Sequence, residues 1–373
     1  IDGSNVRNMT QSLDRSVGTF HWSGKAVYFQ YTDLGSNKVS RVSMAGDIYE
    51  ISSGVSGTSF GRPYAGGTFN VSADGTIAMT YATAMDQANI GVADRRSGDV
   101  TQITDINAEL LDHRKLGTVE EVWYKSSHDG QDIQGWLVKP TDFDASKKYP
   151  LILEIHGGPF SAYGPHFSAE IQLMANNGYM VLYTNPRGST GYGYDFANLI
   201  HLNYPGNDYD DLISGVDHVI GLGNVDPDKL YVTGGSGGGV LSSWIIGKTD
   251  RFKAAVVAKP VINWTSFALY SDMALTASKY WFDKMPWDDQ ENYWRRSPLS
   301  LVGNVTTPTM LLGGELDMRT PISESEQYYQ ALKLQNVEAA LVRIPGSYHG
   351  ITARPSNLVT KVQHIVKWFD EHK

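Results

Sequence analysis

The sequence predicts a mixed α/β chain: an all-β portion over residues 1–115, followed over 116–373 by a mostly parallel sheet of eight strands flanked by helices. Three observations predict it. The early residues run in short apolar alternations punctuated by Gly, Ser and Thr, a strand-and-turn texture. From Thr118 onward short apolar runs alternate with helical periodicities, as β-α units require. The stretch Lys229 to Gly247, KLYVTGGSGGGVLSSWIIG, passes from an apolar strand through a glycine cluster with a single serine, Ser236, directly into an apolar helix.

Composition bounds the classes. With 373 residues and 41% hydrophobic content the chain can bury a large core and has room for two domains. No apolar run reaches the length of a membrane span and no basic block marks a nucleic-acid partner. The net charge of −9 is spread along the chain and favours solubility. The absence of cysteine excludes thiol catalysis, disulfides and thiolate-bound metal, and no metal or organic cofactor is implied. A cysteine-free chain suits the cytoplasm and the periplasm or exterior equally, so the compartment stays open. The sequons at Asn8, Asn70, Asn263 and Asn304 matter only in eukaryotic secretion.

The early portion carries a faint repeat. Thr19 to Tyr28, TFHWSGKAVY, parallels Thr68 to Ile77, TFNVSADGTI, with Phe20 and Phe69 49 residues apart. That period, with short strands and turn glycines, predicts β-propeller blades of four strands each. Two or three blades fit into residues 1–115 and cannot close a ring, so open strand edges would remain. Together with a start at Ile1-Asp2-Gly3 that lacks Met, this gives the expectation of a C-terminal part of a longer protein, with an N-terminal propeller fragment or a second copy of the chain as partner.

The later portion opens with a hairpin, Val119 to Lys125 and Ile133 to Lys139, around His128-Asp129-Gly130. Strands follow at Leu151 to Ile155, Tyr179 to Tyr183, Leu230 to Thr233, Ala254 to Ala258, Thr309 to Leu312 and Ala339 to Ile344. Helices are expected at Tyr209 to Leu222, Val240 to Ile246, Ser323 to Leu334 and Asn357 to His372. In the last, Leu358, Val362, Ile365, Val366 and Phe369 form one apolar face.

Gly234-Gly235-Ser236-Gly237-Gly238 fits the G-x-S-x-G elbow, in which a strand-to-helix turn presents a serine hydroxyl clear of the sheet. Gly57-Thr58-Ser59-Phe60-Gly61 fits the same frame, but Arg62-Pro63 and Gly66-Gly67 after it describe a loop, so context selects Ser236. A serine hydroxyl becomes a nucleophile when a base takes its proton and a third group orients that base. In the chain order Ser, Asp, His, the candidates are Asp317, in the loop after the strand Thr309 to Leu312, and His349, in the loop after Ala339 to Ile344. Glu315 is the rival carboxylate. The developing oxyanion needs two donors. Gly237 follows the serine, and His156-Gly157-Gly158-Pro159 after the strand Leu151 to Ile155 offers Gly157 or Gly158 as the second.

His156-Gly157-Gly158-Pro159, Asn185-Pro186-Arg187-Gly188-Ser189-Thr190-Gly191-Tyr192-Gly193, the Ser236 elbow, Asp317-Met318-Arg319-Thr320-Pro321 and His349-Gly350 together resemble the prolyl oligopeptidase family of serine peptidases, in its acylaminoacyl-peptidase-like or dipeptidyl-peptidase-like branch. The resemblance covers about residues 118 to 373 and implies an α/β-hydrolase domain over 116–373 preceded by a β-propeller. It implies a Ser236, Asp317, His349 triad, with Arg319 near the bound substrate. Two features depart from the family: Gly237 stands where an aromatic residue usually follows the nucleophile, and the propeller portion is short. The Glu120-Glu121 pair, tempting as an anchor for a substrate amino terminus, reads as surface charge, because neighbours on a strand point to opposite faces.

Between Asn263 and Arg296 the chain is dense in aromatics. Trp264, Phe267, Tyr280 and Trp281 read equally as helical core and as an apolar substrate pocket. The function that follows is a serine peptidase cleaving short peptides through an acyl-enzyme. A carboxylesterase on the same fold and a non-catalytic propeller binding module are the alternatives.

Overall fold

Alternating apolar residues and turn glycines fold the early chain into two four-stranded antiparallel sheets, each with its strands in sequence order. The computed structural model describes residues 3–4 and 6–373; the expectation about the start at Ile1 and Asp2 lies outside them. The first sheet comprises β1 (Val17–Ser23), β2 (Ala26–Asp33), β3 (Ser36–Ser43) and β4 (Ile48–Ser53). The second comprises β5 (Phe69–Val71), β6 (Ile77–Tyr81), β7 (Asn89–Ala93) and β8 (Val100–Gln102). The repeat aligns β1 with β5, and those strands meet: His21 Nε2–H donates to Phe69 O at 2.9 Å and Ser23 Oγ to Ser72 O at 3.0 Å. Val39, Val55, Phe69, Ile77, Met79 and Ala93 pack into one buried cluster that serves both sheets.

The chain divides into two compact units. The first is Ile1–Lys115 with two later segments, Ala162–Ala169 and Ser189–Ala197. These segments are held by backbone hydrogen bonds such as Leu34 N–H to Gly191 O and Ala65 N–H to Ala162 O. The second unit is Leu116–Ser161, Glu170–Gly188 and Asn198–Lys373.

In the second unit the sheet is built from β9 (Val119–Lys125), β10 (Asp132–Val138), β11 (Tyr149–Ile155), β12 (Met180–Asn185), β13 (Val225–Gly235), β14 (Ala254–Ala258), β15 (Thr309–Gly314) and β16 (Ala339–Ile344). Its order is β16-β15-β14-β13-β11-β12-β10-β9, with β10 antiparallel to both neighbours and the run from β12 to β16 parallel. Val232, Val256, Val257, Leu311 and Leu312 are wholly buried, the continuous apolar pattern of a parallel sheet covered on both faces. Each such side chain contributes about 1.5–3 kcal/mol relative to exposure.

Helices cover the sheet at Asp208–Gly221, Gly237–Lys248, Ile322–Leu334 and Pro355–Asp370. In the last, Leu358, Val362, Ile365, Val366 and Phe369 are buried as the periodicity requires. Shorter helices lie at Trp264–Tyr270 and Gln290–Arg295, within the aromatic stretch that reads as helical core, and at Ala169–Asn176, too brief for its periodicity to stand out in the sequence. Among the described residues no helix is long and apolar enough to cross a membrane.

Register brings the functional loops together. Ile155 pairs with Gly234, Gly235 with Ala258, and Gly314 with Ile344, so neighbouring parallel strands end side by side. The loops after β11, β13, β14, β15 and β16 therefore leave from one edge, where open α/β sheets bind ligands.

Candidate active site

Ser236 sits between β13 and the Gly237–Lys248 helix with φ 61° and ψ −119°, a left-handed conformation that costs a non-glycine residue about 1–3 kcal/mol. The surroundings hold it there: its N–H is shared between Ala258 O at 3.0 Å and Lys259 O at 3.1 Å, and its carbonyl accepts from Val240 N–H at 3.0 Å. The flanking glycines are steric requirements. A side chain at Gly234 would run into Gly238 O, and one at Gly238 into Ile155 O.

His349, in the loop after β16, joins the other two candidates. Its Nδ1–H donates to Asp317 Oδ2 at 2.8 Å, and its Nε2 lies 3.1 Å from Ser236 Oγ. Because the carboxylate can only accept, the ring proton sits on Nδ1 and Nε2 keeps the lone pair facing the serine. Asp317 is buried. Its Oδ1 accepts Arg319 N–H at 2.9 Å and Thr320 N–H at 3.0 Å, and its Oδ2 also accepts the Thr320 hydroxyl at 3.0 Å. Burial works against its charge, but the His349 contact and the Thr320 donors outweigh it and hold the carboxyl below the usual range. For His349, burial lowers the imidazole pKa, and the Lys259 and Arg319 charges add to it against the opposing pull of Asp317.

Two of the oxyanion candidates, Gly237 and Gly158, lie side by side at the elbow. Gly237 opens its helix, so its N–H is among the first-turn donors that have no acceptor within the helix. A Cβ placed on Gly237 would lie 3.1 Å from Gly158 N, which puts the His156-Gly157-Gly158-Pro159 turn beside the elbow. His156 Nδ1–H donates to Gly157 O at 2.8 Å and steadies that turn.

The rivals go elsewhere. Ser59 lies in an irregular stretch with its hydroxyl donated to Arg62 O at 2.5 Å. Glu315 faces Arg343 at 3.4 Å. Glu120 is taken by Lys139 at 2.6 Å, and Glu121 accepts from Trp123 and Gln134 at 2.7 Å each.

Among the aromatics, Trp264, Phe267 and Trp281 are core residues. The Trp264 indole N–H donates to Arg296 O at 2.9 Å, and its ring packs on Phe267 and Trp281. All three are buried, the placement that the core alternative describes. Tyr280 differs: it is half-buried, donates to Asn198 Oδ1 at 2.7 Å and meets the exposed ring of Phe160 edge-on at 5.1 Å. Phe160 is two residues beyond Gly158. Arg319 pairs its half-exposed guanidinium with Asp272 at 2.6 Å.

Four contributors escaped the sequence. Thr320 supports Asp317, and its spacing before Pro321 was a readable turn signal. Tyr204 donates to Gly237 O at 3.0 Å, and Lys259 Nζ to His349 O at 2.9 Å, both across long sequence separations with no local signal. Arg187, present in the Asn185 to Gly193 motif, is buried between Asp211 at 2.8 Å and Asp129 at 3.0 Å and ties the end of β12 to the hairpin turn.

A sheet of this order, with an elbow serine, an acid and a histidine following strands in that sequence, defines the α/β-hydrolase class. The profile described as the prolyl oligopeptidase family matches residues 165–373. An uncharacterized peptidase of Bacillus subtilis, YuxL, is 37% identical over 344 residues, spanning 91% of this chain and 51% of the relative. The acylaminoacyl peptidase of Pyrococcus horikoshii superposes with a TM-score of 0.88 at 27% identity, over 100% of this chain and 58% of that one. An acylaminoacyl peptidase in complex with Z-Gly-Gly-Phe-chloromethyl ketone gives 0.89 at 27% identity, over 98% and 57%. The chain belongs to the prolyl oligopeptidase family, a family of serine peptidases, and spans about half the length of these relatives.

Proposed function

We propose that this chain carries the catalytic centre of a serine peptidase that cleaves short peptides through an acyl-enzyme, with Ser236 as nucleophile, His349 as general base and acid, and Asp317 as the group that orients the imidazole. The observation that carries the proposal is the position of His349, hydrogen-bonded to Asp317 on one side and 3.1 Å from Ser236 Oγ on the other.

In this mechanism Ser236 Oγ attacks the scissile carbonyl while His349 Nε2 takes its proton. The tetrahedral oxyanion is held by the N–H of Gly237 and by that of Gly157 or Gly158. His349 returns the proton to the leaving amine, the C–N bond breaks, and the acyl group stays on Ser236 as an ester. Water then attacks the ester with His349 again as base, which releases the carboxylic acid and restores the serine. Asp317 stays ionised throughout and stabilises the transient imidazolium.

The substrates we propose are of the acylaminoacyl type, with an aromatic residue in the acyl position. Tyr280 and Phe160 support that preference, since a half-open aromatic pair, of which Phe160 directly follows the oxyanion turn, can take up a ring. The related peptidase bound to Z-Gly-Gly-Phe-chloromethyl ketone carries a blocked peptide with Phe beside its reactive group. Arg319, half-exposed and tied through its backbone to Asp317, is assigned to the substrate side of the site. The two antiparallel sheets within residues 1–115 are read as propeller blades preceding a catalytic domain over 116–373.

The test compares an N-acetyl-phenylalanyl anilide, a free dipeptidyl anilide and a nitrophenyl ester. Hydrolysis of the blocked anilide, abolished in Ser236→Ala, is the expected result. Turnover of the ester with neither anilide cleaved would make the protein an esterase.

A further inference from the structure

Lys259 bonds to three of the strand-end segments that make the site. It is the first residue beyond β14 and adopts a left-handed φ of 49°, unusual for a side chain without a local hydrogen-bonding group. Its carbonyl accepts Ser236 N–H at 3.1 Å. Its own N–H donates to Leu312 O at 2.7 Å, on the strand that leads to Asp317. Its Nζ donates to His349 O at 2.9 Å. None of the acyl-transfer steps uses this side chain.

We propose that Lys259 is a positioning residue for the acyl-transfer reaction: its ammonium ties the carbonyl of His349 to the strand end that also holds the Ser236 N–H, and so fixes the imidazole against the serine hydroxyl. The proposal rests on the triad assignment. The backbone bonds of Lys259 brace the serine and acid loops whatever its side chain is; the ammonium alone reaches the histidine loop. Positioning of this kind has large kinetic leverage, since a misplacement of about 1 Å can cost roughly a hundredfold in rate.

The ammonium also has an electrostatic consequence. The groups facing His349 are the Asp317 carboxylate, the Thr320 and Ser236 hydroxyls, the Arg319 guanidinium, itself paired with Asp272, and Lys259. Positive charge at Lys259 disfavours the imidazolium, so it keeps Nε2 free to accept the serine proton. Removing that charge raises the imidazole pKa and moves the acid limb of activity to higher pH.

The experiment measures the rate of covalent labelling by a fluorophosphonate as a function of pH, which requires an activated serine but no particular peptide. Wild type is compared with Lys259→Met, Lys259→Gln and Lys259→Arg, with Ser236→Ala as the blank and thermal melting as the check on folding. Lys259→Met is expected to label roughly 10- to 100-fold more slowly, with its acid limb displaced to higher pH. Lys259→Gln should show the same displacement, and Lys259→Arg should restore both rate and limb. If the Met variant does not fold, the Gln variant carries the comparison. A folded Met or Gln variant with the wild-type rate and an unmoved acid limb overturns the proposal. Absence of labelling in the wild type overturns the triad assignment itself, and this proposal with it.

Discussion

Thr320 Oγ1 lies 3.0 Å from Asp317 Oδ2 and 3.3 Å from His349 Nδ1, so one hydroxyl sits at the junction of acid and base and donates to the oxygen that also accepts the imidazole proton. Two backbone N–H groups fill Oδ1. The carboxylate is thereby locked in one rotamer with its charge compensated, which suits the orienting role proposed for it.

Asp317→Asn should leave the protein folded and reduce kcat by about 10⁴-fold, because an amide beside Nδ1 no longer selects the productive tautomer. Glu315→Gln removes only a surface pairing with Arg343 and should change kcat by less than about twofold. Steady-state kinetics on the two variants checks the assignment, and a larger loss in the Glu315 variant would move the acid by two residues.

The pH profile follows from His349. The proposed mechanism needs its neutral form, and burial with the Lys259 and Arg319 charges lowers its pKa despite Asp317. A lowered pKa keeps the base neutral further into acid. The acid limb of kcat/KM should therefore fall below the ordinary imidazole value of 6.5, with activity present above it and lost as pH falls through it. A limb well above that value would contradict the environment described.

Gly238→Ala tests the elbow as a steric object. The added methyl meets Ile155 O, and relief requires a backbone shift between β11 and the helix that follows Ser236. A loss of roughly 1–3 kcal/mol in stability is expected, together with slower phosphonate labelling. Gly221→Ala, at a helix end where a Cβ meets nothing within 4 Å, should be neutral or stabilising by up to about 1 kcal/mol. Denaturant melts of both variants separate crowding from a general intolerance of substitution.

Much of the second unit was legible in the sequence because its signals are local. Buried parallel strands read as apolar runs, the final helix shows its face in Leu358, Val362, Ile365, Val366 and Phe369, and the elbow announces itself by glycines on both sides of Ser236. Chain order and a place after strands single out Asp317 and His349 as candidates, and the structure brings both to Ser236. What the sequence hid is held by long-range contacts. Lys259 reaches His349 across 90 residues, and Tyr204 reaches Gly237 across 33. The aromatic stretch was ambiguous for another reason: core and pocket use the same residues, and only packing assigns Trp264 to one and leaves Tyr280 at the edge.

The proposed role of Ser236 as nucleophile is tested most directly by peptide mapping by mass spectrometry after reaction with a fluorophosphonate. One stoichiometric adduct is expected on the peptide containing Ser236, absent in Ser236→Ala and unaffected by Ser59→Ala. An adduct on Ser59, or an equal yield from the Ser236→Ala protein, would contradict it.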